Sequence, residues 1–264
     1  MQENEIDFNF LKTCLREAGQ IALRQRGQMT AEIKADHTPV TEVDRQVEEF
    51  LVWQISARYP GHAILSEEGG ASAAVQQAQS DSAFAWVIDP IDGTRAFASG
   101  LPVWGVSIGI LRDGKPFAGG LYLPVTRELY WGNGREAFYN DRPIRLALPI
   151  DLNSPLVFLG VPSNFHLHFL ITYPRIRSLG STAAHLAYVA TGAAVGALTR
   201  RVSLWDLAGM LPVLAAVGVE VAYLSGEPFQ PAALLDGSPI REPLLIAHPS
   251  VMPQLRERIS PMRR

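Results

Sequence analysis

The stretch Trp86-Val87-Ile88-Asp89-Pro90-Ile91-Asp92-Gly93-Thr94 decides how this chain is read. An apolar run of strand character ends in two aspartates three residues apart, with a proline between them and a glycine behind. Acidic side chains rarely lie near a core unless paired or bound to a cation. Two of them converging at a strand end point to a hard-metal site, with carboxylate oxygens around Mg²⁺ or a similar ion. The Gly93-Thr94 step can open a short helix near Arg95 and present backbone N–H groups, a place that attracts phosphate. Metal beside a phosphate cradle is the layout of metal-assisted phosphoester hydrolysis.

Upstream, Leu11, Leu15, Ala18 and Ile21 recur at helical spacing, and the pattern ends near Gln25-Arg26-Gly27. The polar, turn-rich Lys34–Pro39 segment reads as an exposed loop. A second helix starts at Thr41, with Asp44 completing an imperfect capping box. Val43, Val47, Leu51 and Ile55 form its buried stripe, and Pro60-Gly61 stops it. Short strands are predicted near 63–65 and 84–88, and an antiparallel meander over 103–148, with turns at Asp113-Gly114 and Gly132-Asn133-Gly134. The second half predicts strands near 156–160, 176–179, 219–223 and 244–247. Helices are predicted near 182–198, 205–217 and 250–259. Periodicity alone supports a mixed α+β class in a single unit spanning 1–264, with a possible seam near 149–155.

Composition excludes several classes. At 264 residues, 47% hydrophobic and 19% charged, the chain is an ordinary globular sequence. A net charge of −3 with mixed signs argues against a nucleic-acid surface. The single Cys14 rules out an internal disulfide and a cysteine-rich zinc site. The acidic Met1–Asp7 segment has no apolar signal core, and the apolar run 182–198 is too short to span a bilayer. The expectation is a cytoplasmic protein with no membrane partner. His166 and His168 lack a suitably spaced third ligand for zinc, and His185 reads as a hydrogen-bonded core histidine.

Four blocks carry a family resemblance. Asp89-Pro90-Ile91-Asp92-Gly93-Thr94 resembles the first signature of the inositol monophosphatase family. Leu65-Ser66-Glu67-Glu68 is similar to its paired-glutamate motif, Pro39–Asp44 to its helix-opening motif, and Leu204-Trp205-Asp206-Leu207-Ala208-Gly209 to its second signature. The blocks occur in family order over roughly residues 34 to 220.

The resemblance implies the layered α/β/α/β/α sugar-phosphatase fold and a Mg²⁺ centre of two to three ions. By analogy, Glu67, Asp89 and the Ile91 carbonyl hold the first ion, while Asp89, Asp92 and Asp206 hold the second. Glu67 and Thr94 would orient a metal-activated water for in-line attack, and Asp44 would fix the Thr94 hydroxyl. The N–H groups of Gly93 and Thr94 would cradle phosphate, and Lys34 would lie on a loop that closes over the metals. Lithium sensitivity and a homodimer are further family expectations.

Arg177–Ala183 matches the block bordering the substrate, which implicates Gly180, Ser181 and Thr182. Inositol-specific members carry an acidic residue seven positions before the second-signature aspartate; here that position is Thr199, followed by Arg200-Arg201. Loss of that acceptor relaxes hydroxyl recognition, and Arg200 suits an anionic substrate group. The segment from Gly160 to Arg175 is also shorter than in typical members. The expected activity is phosphomonoester hydrolysis on a small polyol or sugar phosphate, with inositol 1-phosphate as the default. Fructose-1,6-bisphosphatase, 3′-phosphoadenosine 5′-phosphate phosphatase and histidinol-phosphatase activities are the alternatives, and a non-catalytic binding relative is the rival from another class.

Overall fold

The computed structural model describes residues 6–26, 32–33, 39–71, 83–161 and 164–262. Helix α1 (Phe8–Gln25) is capped by Asp7, whose carboxylate accepts from the Asn9 and Phe10 N–H groups. A hairpin of β1 (Glu32–Ile33) and β2 (Pro39–Val40) leads into α2 (Glu42–Arg58). Then follow β3 (Ala63–Ser66), β4 (Gly70–Ala71), β5 (Phe84–Asp92) and the short α3 (Thr94–Ala98). The predicted meander is β6 (Gly105–Arg112), β7 (Lys115–Leu123), β8 (Glu128–Gly132), β9 (Ala137–Tyr139) and β10 (Arg142–Pro143). Strands β3 to β10 make one eight-stranded sheet, antiparallel except where β3 runs parallel to β5.

The chain then crosses to a second, five-stranded sheet. In chain order this half runs through β11 (Val157–Gly160), a π-helical turn (Asn164–His168), β12 (Phe169–Ile171), β13 (Ile176–Arg177), α4 (Thr182–Ala190) and β14 (Ala194–Thr199). Helices α5 (Trp205–Ala208) and α6 (Leu211–Ala216) precede β15 (Glu220–Tyr223), β16 (Leu244–Ala247), α7 (Met252–Glu257) and β17 (Ile259–Pro261). Strands β12 and β17 pair with each other, outside the second sheet.

Alternation along the strands sets the layers. On β5, Trp86 and Ile88 join α1 and α2 in one core, while Val87 faces a second core shared with α4, α5 and α6. On β16, Leu244 and Ile246 close that second core from the far side, while Leu245 and Ala247 pack outward against α7. The order is therefore helices, sheet, helices, sheet, helix: the α/β/α/β/α arrangement expected from the resemblance.

Two predicted helices are broken. The run 182–198 is α4 followed by β14, because Gly192, with φ at +79°, ends the helix and the chain turns back as a buried strand. A short continuous apolar run does not distinguish a buried strand from a buried helix by period. The run 205–217 is α5 and α6, interrupted at Gly209-Met210.

The interruption belongs to the packing of α5 on β6 and β7. A Cβ on Gly119 would stand 2.6 Å from the Gly209 carbonyl oxygen, and one on Gly109 would collide with Ala208. Bare backbone on the sheet lets this helix lie flush against it. Gly109→Val is expected to destabilise the protein by about 1–3 kcal/mol or more through overpacking, measured by urea unfolding. A midpoint equal to wild type would show that α5 does not need this close approach.

Candidate active site

Asp89 and Asp92 are three positions apart, a spacing that sends side chains to opposite faces of a regular strand. The structure resolves the conflict with a bulge. Asp89 pairs with Ser107 and Asp92 with Gly105, so three steps along β5 match two along β6. Pro90, which has no N–H for a ladder bond, lies inside the irregularity. Ile91 consequently packs with the outer core, and both aspartates turn toward the inner layer.

Asp206 reaches the same spot from the first turn of α5, where the Ser203 N–H donates to its Oδ2 at 2.7 Å. Among the described residues, Asp89, Asp92 and Asp206 form the group of acids that could hold a metal. Their ligand atoms all lie within 4.8 Å of one another. Glu67 follows β3 directly, and its N–H donates to the Ile88 carbonyl at 3.2 Å, bringing it level with Asp89. Burial raises Asp89 well above the ordinary carboxylate range, and the charges of Glu67, Asp92 and Asp206 push it further. Asp206 is raised for the same reasons, burial first and then Asp92 and Glu67.

Asp92 is stabilised differently. It accepts from the Ser181 hydroxyl, the Ala183 N–H at 2.8 Å and the Thr182 N–H at 3.2 Å, so it caps the start of α4 from another segment. Burial pushes its carboxyl up to about 6 while these bonds hold it down. Gly93, in the left-handed region at φ +93°, makes the turn into α3; a Cβ there would lie 2.8 Å from the Gly180 carbonyl oxygen. The loop before α4 is thus pressed onto the Asp92-Gly93 step. His185 fastens it from within the helix, its Nε2 accepting the Leu179 N–H at 3.0 Å.

The opening of α2 supplies another pair. The capping box is complete: Asp44 Oδ2 accepts from the Thr41 N–H at 2.8 Å, and the Asp44 N–H donates to Thr41 Oγ1. The free Oδ1 lies 3.2 Å from Thr94 Oγ1, which is also 3.1 Å from the Ile91 carbonyl oxygen. Burial raises the Asp44 carboxyl, opposed by the bonds from Thr41.

Most sequence-predicted residues therefore meet. Asp89, Asp92 and Asp206 converge, whereas Glu67 lies outside their group and reaches it as a charge that raises Asp89 and Asp206. Thr94 joins Asp44 and the Ile91 carbonyl, and Gly180, Ser181 and Thr182 press on the Asp92-Gly93 step. Thr199 is buried, and its hydroxyl has no hydrogen-bond partner. Arg200 lies against His168 instead, Nη1 to Nε2 at 3.1 Å. Lys34 falls outside the described residues. Sequence reasoning missed Glu48, which accepts the Glu68 N–H at 2.8 Å and steadies the Glu67 turn. It also missed Asn164, whose Nδ2 donates to the Leu198 carbonyl at 3.0 Å. Glu48 carried a signal, an acid on the apolar side of α2 one residue after Val47; Asn164 carried none.

The donor set fits a hard cation. All donors are oxygen, they repel one another at close range, and Asp89 Oδ1 is buried without any hydrogen-bond partner.

The chain matches the inositol monophosphatase family over residues 4–260. It belongs to that family. An inositol-1-monophosphatase of Mesorhizobium japonicum is 33% identical over 232 residues, covering 83% of this chain and 85% of that protein. A histidinol-phosphatase of Chlorobaculum parvum is 34% identical over 213 residues, covering 76% and 80%. Among solved structures, an inositol monophosphatase of Thermotoga maritima has a TM-score of 0.80 at 26% identity, covering 95% of both chains. As a member of the inositol monophosphatase family, the protein is a metal-dependent phosphatase acting on phosphate monoesters.

Two outcomes are expected. Chelated protein titrated with Mg²⁺ or Mn²⁺ should gain stability as the acids are neutralised, by about 2.7 kcal/mol at a hundredfold excess over Kd. Scanning fluorimetry reads the rise in Tm, and no shift for any divalent cation would contradict a cation site. His185, buried neutral, is held down to about 4. The unfolded chain takes up a proton near pH 6.5 and the folded chain only near 4. Stability therefore falls as pH drops through that window, by up to about 3 kcal/mol from this group. Denaturant unfolding of chelated protein should show a shallower acid loss in His185→Gln than in wild type; equal slopes would mean the imidazole protonates without penalty.

Proposed function

We propose that the ion is Mg²⁺, bound in two or three copies, and that the substrate is a small polyol or sugar phosphate, with inositol 1-phosphate as the reference. The convergence of Asp89, Asp92 and Asp206 within 4.8 Å carries this reading. Glu67, Asp89 and the Ile91 carbonyl would hold one ion, and Asp89, Asp92 and Asp206 another. When bound, the cations neutralise the phosphate oxygens and lower the pKa of a water.

The chain's own groups supply the rest. Gly93 and Thr94 lie at a helix start, where backbone N–H groups have no partner within the helix and face the ester phosphate. The Thr94 hydroxyl can give its proton to Asp44 Oδ1, 3.2 Å away, which turns its lone pairs toward an attacking water. Asp44 is spent on Thr41 at its other oxygen, so it acts as a fixed acceptor. Half-buried Glu67, near enough for its charge to raise Asp89, would complete the orientation of the nucleophile.

Two relatives name different alcohols as phosphate carriers, an inositol and histidinol. Histidinol phosphate is therefore the second substrate to assay.

Asp206→Asn and Asp92→Asn should each reduce Mg²⁺-dependent kcat at least about a hundredfold while far-UV circular dichroism stays native. Thr94→Ala should lose about 10²-fold to 10⁴-fold in kcat with little change in KM. Millimolar Li⁺ should inhibit by competing at the second-ion position. Turnover surviving intact in Asp206→Asn would sink the assignment.

A further inference from the structure

Asp89 on β5 is paired directly with Ser107 on β6, so the two side chains stand on the same face of the first sheet. That face is the inner one. Val87, two positions before Asp89, and Leu121, the partner of Ser107 on β7, both pack into the core between the sheets. Val106 and Ile108, on either side of Ser107, pack with α1 and α2 instead. Helix α5 covers the spot, because a Cβ on Gly209, its C-cap, would collide with Ser107 Oγ. Ser107 is thus enclosed between the strand that carries Asp89 and the helix that carries Asp206.

A hydroxyl in this place is out of character with its surroundings. Ser107 is fully buried, and its Oγ has no hydrogen-bond partner among the described residues. The inward positions beside it are Gly109, Gly119 and Leu121. An alanine would fill the same space without leaving a buried polar atom unpaired, which is the more stable arrangement. The residue opposite is in the same condition, since Asp89 Oδ1 is also buried and unpartnered. One group is an O–H donor and the other an acceptor. Opposed residues of an antiparallel pair have Cβ atoms about 4.5–5.5 Å apart, and a serine hydroxyl reaches a new direction by a change of rotamer.

The other two acids of the cluster already have donors. Asp92 takes them from Ser181, Thr182 and Ala183, and Asp206 from the Ser203 N–H. Carboxylates that ligate a metal are held in orientation by such bonds. We propose that Ser107 is a positioning residue for the metal centre: its hydroxyl turns to Asp89 Oδ1 when that carboxylate takes up cations, and holds it in its ligating orientation. Ser107 acts through Asp89 and touches neither substrate nor the reacting water. The inference rests on the reading of Asp89 as a cation ligand and adds to it a residue that sets cation affinity.

The test compares wild type with Ser107→Ala. Chelated protein is titrated with Mg²⁺ and separately with Mn²⁺ by calorimetry, and metal-free stability is read from urea unfolding. Ser107→Ala should weaken cation binding about tenfold to a hundredfold, the usual effect of removing a group that supports a metal ligand. Metal-free Ser107→Ala should be at least as stable as wild type, because an unpaired buried hydroxyl has been removed. In steady state the Mg²⁺ concentration for half-maximal turnover should rise by the same factor, while KM for inositol 1-phosphate at saturating Mg²⁺ holds. An unchanged Kd for both ions overturns the proposal and leaves the cation site standing. Weaker binding accompanied by a comparable loss of metal-free stability, or failure to fold, reports a packing role and overturns it as well. A wild type that binds neither ion overturns the cation-ligand reading itself.

Discussion

Carboxylates at Asp89, Asp92 and Asp206, the first two buried and the third partly so, have ligand oxygens within 4.8 Å of one another and repel strongly between the two sheets. At an effective dielectric of about 20, each such pair of full charges costs about 3–4 kcal/mol. Three pairs would rival the whole stability of a typical domain, about 5–15 kcal/mol. The cluster therefore exists either protonated or neutralised by cations, and the raised carboxyls of Asp89 and Asp206 express the first choice. Everything around the site reflects this constraint. Asp92 is partly relieved by three donors from the start of α4, and Asp206 by the Ser203 N–H. Asp89 receives no comparable relief at Oδ1. Asp89 is thus the acid of the three that the protein itself satisfies least.

The same constraint explains why both halves of the chain are needed. Asp92 is made on the first sheet but, among the described residues, takes its side-chain hydrogen bonds from residues that follow β13. The Gly93 turn is in contact with Gly180 and Ser181, and α5 carries Asp206 only because Gly109 and Gly119 let it sit on β6 and β7. Cation site and interlayer packing are thus one structure. A substitution that lifts α5 from the sheet would move Asp206 without touching any acid.

How much of this was legible follows from what each feature depends on. The strand running into Asp89, the capping of α2 at Thr41 and the meander after Val103 are local patterns, and local patterns carry to the structure. The four acids were legible because their motifs are short and contiguous. The breaks at Gly192 and Gly209 were not, since an all-apolar segment has no period to separate helix from strand. The bulge was half legible: Pro90 in a central strand demands an irregularity, but only the pairing with Ser107 and Gly105 fixes its place. Glu48, His185 and Asn164 act on backbone groups 20, 6 and 34 residues away, and such partners are set by tertiary packing.

Thr199 and Arg200 separate most clearly what sequence can and cannot assign. Comparison by position placed both on the substrate side. In the fold they follow opposite courses, because successive residues of a strand face opposite ways and β14 ends between them. Thr199 turns into the protein and its hydroxyl is left without a partner, whereas Arg200 leaves the sheet edge and is caught by His168. Arg200 is half-buried against His168 and meets no carboxylate among the described residues. Position in the sequence thus places both residues at one strand end, while only the fold decides which face each takes.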